Sequence, residues 1–169
     1  MKVIHKNLKK ATLLFILIMS AIFYTGCVKI ESPMDIFNEY TESWTIQDFA
    51  AMYANISTED QSFISQTDFK NAYEAFYSGL KIQSINIDHT IDQEELNKQI
   101  KNEEQVVLPV KVEMQTEYGN YSYSLDISLF KETVNGKEVW RILWDYNMIF
   151  REMTEGDTIQ TTFTTLPVR

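Results

Sequence analysis

From Ser32 to Leu80 apolar residues recur every three or four positions, and from about Ile85 onward they recur every second position, so helices are expected first and strands afterwards. Ser32 is a good N-cap with Pro33 at the first helical position, and Ile36, Phe37, Tyr40 and Trp44 then share one face. Thr45 with Asp48 reads as a capping box that starts a second helix, with Trp44 stapled on Phe49, and Phe49, Met52, Tyr53 and Ile56 form its inner stripe. Ser57 with Asp60 opens a short third helix over Thr58 to Ile64. Ser65 or Thr67 opens a fourth, in which Phe69, Tyr73, Phe76, Tyr77 and Leu80 share a face and Gly79 is read as the left-handed stop.

Period two takes over in the second half. Ile85 and Ile87 alternate within Lys81 to His89, with Ile82 out of phase. Val106, Leu108, Val110, Val112 and Met114 alternate cleanly, and Pro109 between them cannot donate a ladder hydrogen bond, which predicts an edge strand or a bulge. Gly119-Asn120 is read as the turn into a strand carrying Tyr121, Tyr123, Leu125, Ile127 and Leu129. Asn135-Gly136 is a strong hairpin signal leading to a strand over Val139 to Asp145, which puts Trp140 and Trp144 on one face. Asp92 to Glu104, acidic and amide-rich, is either a loop or a short exposed helix. Helices followed by an antiparallel meander give an α+β domain, and the arrangement suits a cone of N-terminal helices packed on a curved antiparallel sheet, as in NTF2-like folds.

Ahead of this pattern lies a different one. Lys2, Lys6, Lys9 and Lys10 precede an apolar run from Ala11 to Phe23, closed by Tyr24-Thr25-Gly26-Cys27, which reads as a secretory signal over residues 1–26. Cys27 is the chain's one cysteine, so no internal disulfide is possible. The segment resembles a bacterial lipoprotein signal, in which the thiol is alkylated by lipid before cleavage; Gly26 and Thr25 fit that box and the bulky Tyr24 departs from it. An uncleaved membrane helix is the alternative, but Ala11 to Gly26 spans only about 24 Å as a helix against a hydrocarbon core of roughly 30 Å. Residues 27–31 would be a short tether and residues 32–169 the domain.

Cleavage removes four lysines, leaving 11 of the 15 basic residues against all 24 acidic ones, a net charge near −13. No basic patch could neutralise phosphates, so nucleic acid is excluded as a partner, and anionic surfaces repel the chain. Membrane attachment would come from lipid on Cys27 and place the domain on the outer face of the cytoplasmic membrane. Nine Tyr, ten Phe and three Trp supply the anchors of one core.

Little chemistry is visible. Ser78-Gly79-Leu80-Lys81, Ser128-Leu129-Phe130-Lys131 and Ser84-Ile85-Asn86 match fragments of serine-transpeptidase motifs, yet Ser78 ends a helix, Ser128 lies in a strand, and Lys-Thr-Gly is missing. His89, the one histidine after the signal, is expected to be solvated or capping beside Asp88. Asp145 is either a buried group with altered titration or, more simply, a cap for the following turn. No metal set, phosphate loop or cofactor is indicated, and no catalytic residue is assigned.

Three stretches together carry a family resemblance: Trp44 through Tyr53; Asp68-Phe69, Tyr73, Tyr77 and Leu80 with Ile85-Asn86-Ile87; and Trp140-Arg141-Ile142-Leu143-Trp144-Asp145 with Ile149-Phe150 and Gly156-Asp157-Thr158-Ile159. They resemble the NTF2-like N-terminal domain of class B, methicillin-resistance-type penicillin-binding proteins of Gram-positive bacteria. The resemblance implies structural roles for Trp44, Asp68, Phe69, Tyr73, Tyr77, Trp140, Trp144 and Asp145. In the family an Arg-Gly motif and then the transpeptidase follow; this sequence reaches Leu166-Pro167-Val168-Arg169, so the family's activity is not implied for it. The readings left open are a non-catalytic spacer or docking module in a cell-wall and β-lactam context, from a truncated or a stand-alone protein; a ligand-binding or enzymatic domain using the cone as a pocket; and an interaction protein docking on wall-synthesis proteins by exposed aromatics.

Overall fold

Ser32 starts the folded region with a complete capping box: its hydroxyl accepts from the Asp35 N–H and the Asp35 carboxylate accepts from the Ser32 N–H, at 3.1 and 3.0 Å. In this computed structural model the described residues are 31–157 except Glu103 and Glu152. The signal, Cys27, the tether up to Ile30 and everything from Thr158 onward lie outside them.

Four helices follow, α1 (Pro33–Thr45), α2 (Phe49–Asn55), α3 (Thr58–Phe63) and α4 (Gln66–Leu80), and then the strand β1 (Ile82–His89). A fifth helix, α5 (Gln93–Asn102), precedes the meander β2 (Gln105–Thr116), β3 (Gly119–Val134) and β4 (Lys137–Leu143). The four strands form one curved antiparallel sheet in chain order, with the N-terminal helices packed against it. The fold is α+β and consistent with an NTF2-like cone. Cross-strand neighbours bring Ile85, Met114 and Tyr121, then Ile87, Val112 and Tyr123, then Val106, Leu129 and Ile142 onto one face. Helix α1 lies against β1, β3 and β4, and α5 covers β2 through the fully buried Leu96.

Several local expectations are corrected. Thr45 does not open a helix: it is the last residue of α1, the chain turns through Gln47 at φ 61°, and Asp48 itself caps α2 by accepting from the Ala51 N–H at 3.1 Å. Trp44 is therefore no staple for Phe49; both rings meet instead across Tyr73, with centroids 6.1 and 5.2 Å from it. Gly79 is not the stop of α4. The helix runs through it to Leu80, and Lys81 takes the left-handed position at φ 51°, its N–H bonded to the Tyr77 and Ser78 carbonyls and its ammonium 2.7 Å from Glu117.

Pro109 sits neither at a sheet edge nor in a bulge, since β2 lies between β1 and β3 and its register with β3 passes unbroken through Pro109 and Asp126. Its carbonyl accepts from the Thr90 N–H at 2.9 Å, so its nitrogen faces the same side, just where β1 has ended. The turn between β2 and β3 is Glu117-Tyr118, one step before Gly119-Asn120, and is closed by Thr116, whose hydroxyl accepts from the Tyr118 N–H and donates to the Gly119 carbonyl. Asn135-Gly136, at φ 52° and 76°, makes the expected hairpin. The irregular register between Ile82 and Ser84 accounts for the phase of Ile82. β4 ends at Leu143, so Trp144 and Asp145 lie beyond the strand, and the part of β3 that outruns β4 shares a cavity of about 430 Å³ between Ser124 to Asp126 and Asn147 and Arg151.

Two glycine replacements separate these conformations. A methyl group at Gly79 meets nothing within 4 Å and suits a helix interior, so Gly79→Ala is expected to raise stability by about 0.5–1 kcal/mol. At Gly136 the space is also open but φ is +76°, so Gly136→Ala is expected to lower stability by about 1 kcal/mol. Urea unfolding of both variants checks the opposite signs.

Candidate functional site

The centre of the cone is an aromatic core with paired polar tips. Spacings of four and three put Phe69, Tyr73, Phe76 and Tyr77 on the inner face of α4, opposite Tyr40 and Trp44 of α1. The Trp144 indole N–H donates to the Tyr73 hydroxyl at 3.1 Å, the Tyr73 and Tyr40 hydroxyls are 3.3 Å apart, and the Trp44 indole N–H donates to the Tyr77 hydroxyl. The Tyr123 hydroxyl donates to the Ile149 carbonyl. Burial pushes the phenols of Tyr40, Tyr73, Tyr77 and Tyr123 above their ordinary range, so they stay neutral and serve as hydrogen-bond partners. A pocket in the cone would need this volume, which Tyr40, Trp44, Met52, Phe69 and Tyr73 occupy.

The residues singled out in the sequence divide between core and caps. Trp44, Phe69, Tyr73, Tyr77, Trp140 and Trp144 are buried, Trp140 on β4 with the Lys131 ammonium 5.3 Å above its ring. Asp68 is exposed in the first turn of α4, where its carboxylate accepts from the Ser65 hydroxyl at 2.6 Å. Asp145 is exposed and caps the short 3₁₀ turn Tyr146–Met148 by accepting from the Asn147 N–H at 2.9 Å. His89 departs from the expected solvated role: it lies half-buried on the sheet's inner face, edge-on to Phe37 at 5.9 Å, its Nδ1 buried without a hydrogen bond among the described residues. The serine-motif fragments stay apart. Ser78 is near the end of α4, Ser84 on β1 donates to Gln115, and Ser128 is inside β3.

Where β4 runs out, helices and sheet are stapled together. The Ser57 N–H donates to the Ile142 carbonyl at 2.9 Å, next to a parallel bridge between Ile56 and Ile142. One oxygen of Asp60 accepts from both the Ser57 hydroxyl and the Trp144 N–H, at 2.7 and 2.9 Å. The Thr58 N–H and hydroxyl both donate to Glu132, whose other oxygen lies 3.4 Å from the Arg141 Nε, near enough for an ion pair but out of line for a hydrogen bond. Beside this staple opens a concavity of about 280 Å³, with Ile64, Trp144 and Tyr146 as its floor and wall and Phe63, 81% exposed, at its mouth. Asp60, Asp145 and Glu155 complete the lining. Sequence reading found Asp60 only as part of a cap, and missed Phe63, Tyr146 and Glu155, since nothing in their spacing joins a short helix to a segment some eighty residues on. No cluster of His, Cys, Asp and Glu that could hold a metal occurs among the described residues.

A family model described as "NTF2-like N-terminal transpeptidase domain" matches residues 32–157. The chain belongs to that family. Within it, the chain is similar to penicillin-binding protein 3 of Bacillus subtilis (strain 168), at 32% identity over 155 residues, which cover 90% of this chain and 22% of that protein. The chain therefore spans about a fifth of the length of this relative, and the homology is to the non-catalytic N-terminal region of a penicillin-binding protein. Among solved structures, a SEC-C motif containing protein from Psychrobacter arcticus overlays with a TM-score of 0.47 at 9% identity, covering 83% of this chain and 68% of that one. In this NTF2-like domain Trp44, Phe69, Tyr73, Tyr77, Trp140 and Trp144 are all core residues.

Their burial sets a pH limit. The four phenols hold their protons to higher pH in the folded chain than in the unfolded one, so their contribution is intact below about pH 10 and is lost progressively as pH rises beyond it. Urea unfolding between pH 8 and 11 should show stability falling above pH 10, and Tyr73→Phe should make the fall shallower by one tyrosine's share.

Proposed function

We propose that this domain is a non-catalytic module of cell-wall assembly, held on the outer face of the bacterial cytoplasmic membrane by lipid on Cys27, and that it acts as a spacer or docking domain in the context of penicillin response. The homology to the N-terminal region of a penicillin-binding protein carries this reading. Two further observations support it. The cone's centre is filled by side chains whose hydroxyl and indole groups bond to one another, leaving them committed to structure. The serines resembling transpeptidase fragments lie on separate elements, with Lys81 paired to Glu117 and Lys131 over Trp140.

No helix among the described residues is long and apolar enough to cross a membrane, which is compatible with a lipid anchor ahead of the domain. A strongly acidic chain gains nothing from anionic lipid or wall polymer, so the anchor would supply the whole of the attachment. Fluorescent penicillin incubated with the purified chain should leave no covalent adduct on a denaturing gel; a saturable adduct would remove the non-catalytic reading. In cells fed a labelled fatty acid, the wild-type chain should incorporate label and Cys27→Ala should not. An unlabelled wild type would end the anchor proposal.

A further inference from the structure

The concavity beside the end of β4 combines two features that suit one kind of ligand. Its apolar surface is aromatic: the Trp144 and Tyr146 rings lie 4.9 Å apart at 58°, Phe69 backs Trp144 at 5.1 Å, and Phe63 stands almost fully exposed at the mouth. Its polar surface is anionic, contributed by Asp60, Asp145 and Glu155, with no lysine or arginine among its described lining residues. Two of these carboxylates are fixed by hydrogen bonds from the backbone, Asp60 by the Trp144 N–H and Asp145 by the Asn147 N–H, so they need little ordering when a ligand arrives. The Tyr146 hydroxyl reports the same field: burial first, then the charges of Glu155 and Asp68, push its pKa up.

Aromatic faces attract cations through their quadrupole, and carboxylates add direct attraction. A metal ion would need several oxygens converging on one point, which these side chains do not provide. A purely apolar ligand would strip water from the carboxylates without pairing them. At about 280 Å³ the space fits one side-chain-sized group and falls below the usual range for a whole drug-sized molecule. We propose that this concavity binds an alkylammonium group, a terminal amine on an aliphatic stem, with the stem against Phe63 and Tyr146 and the charge among Asp60, Asp145 and Glu155. The site stands independently of the anchoring and spacer reading.

The full chain in maltoside micelles, whose headgroup carries no charge to compete, tests this by NMR titration of the Trp144 and Tyr146 ring signals. The probes are n-pentylamine, its neutral counterpart n-pentanol, and a blocked Gly-Lys-Gly peptide with and without Nε-acetylation. Pentylamine should shift both rings with millimolar affinity, and pentanol and the acetylated peptide should bind about tenfold more weakly or less. Glu155→Gln and Tyr146→Ala should each weaken pentylamine about 3- to 10-fold while the thermal unfolding midpoint of Glu155→Gln stays near wild type. If the lysine peptide matches pentylamine, the natural ligand is a side chain on a peptide or polymer; if only the free amine binds, it is a small amine. Equal binding of pentanol and pentylamine, or undiminished pentylamine binding in Glu155→Gln, would overturn the proposal, as would no shift at 50 mM amine, a concentration chosen to be about tenfold above the expected affinity.

Discussion

Burying an indole or a phenol obliges the fold to find a partner for its polar tip, because each such group left without a hydrogen bond costs on the order of 1–3 kcal/mol. This domain buries Trp44, Trp144, Tyr40, Tyr73, Tyr77 and Tyr123 around one point, and most of their tips bond to one another. Tyr73 is the centre of that arrangement, bonded toward α1 through Tyr40 and toward the segment after β4 through Trp144. A slide of α4 along α1 by one turn would unmake these bonds together, so the aromatic core fixes how the helical layer registers on the sheet. Apolar packing alone is less particular about register.

Three helix starts were legible because their chemistry is local, while the start at Asp48 was read three residues early, at Thr45. Ser32, Ser57 and Ser65 each accept from the N–H three residues on, as their sequence contexts imply. The ends were harder. Gly79 has the residue type for a left-handed stop, but the helix closes two residues later on Lys81, where the ion pair with Glu117 and the approach to Tyr118 join the α4 end to the β2–β3 turn. Pro109 shows the same limit: from sequence its missing N–H argues for an edge, and only the length of β1, whose pairing ends at His89 and Val110, reveals that no ladder hydrogen bond from position 109 is called for inside a four-stranded sheet. The α5 segment could be read as loop or helix because one buried residue, Leu96, holds it down and its remaining pattern is polar.

The core aromatics and the concavity differ in how far sequence could reveal them. Trp44, Tyr73 and Trp144 stand in recognisable stretches, and their likeness to a family speaks to the fold they build. Phe63, Tyr146 and Glu155 come together only because the staple at Ser57, Asp60 and Glu132 draws the α2–α3 junction onto β4. The same contacts that close the cone thus create the surface feature beside it, which ties the aromatic and acidic concavity to the domain's structural seam.

That staple also bears on how the sheet ends. An outer strand offers unpaired N–H and C=O groups on which another chain could grow, and natural sheets guard against this. β4 is guarded near its C-terminal end by the backbone of Ile56 and Ser57, laid parallel against Ile142. β1, the opposite outer strand, carries a register irregularity at its start, between Ile82 and Ser84, which limits its regular ladder to Ser84 through His89. The stretch of β3 beyond β4 has the Asn147 to Arg151 segment beside it. A backbone plug at the end of β4, an irregular start to β1 and a turn flanking β3 each shorten the open ladder that a sheet rich in Tyr, Val and Ile would offer to a second copy.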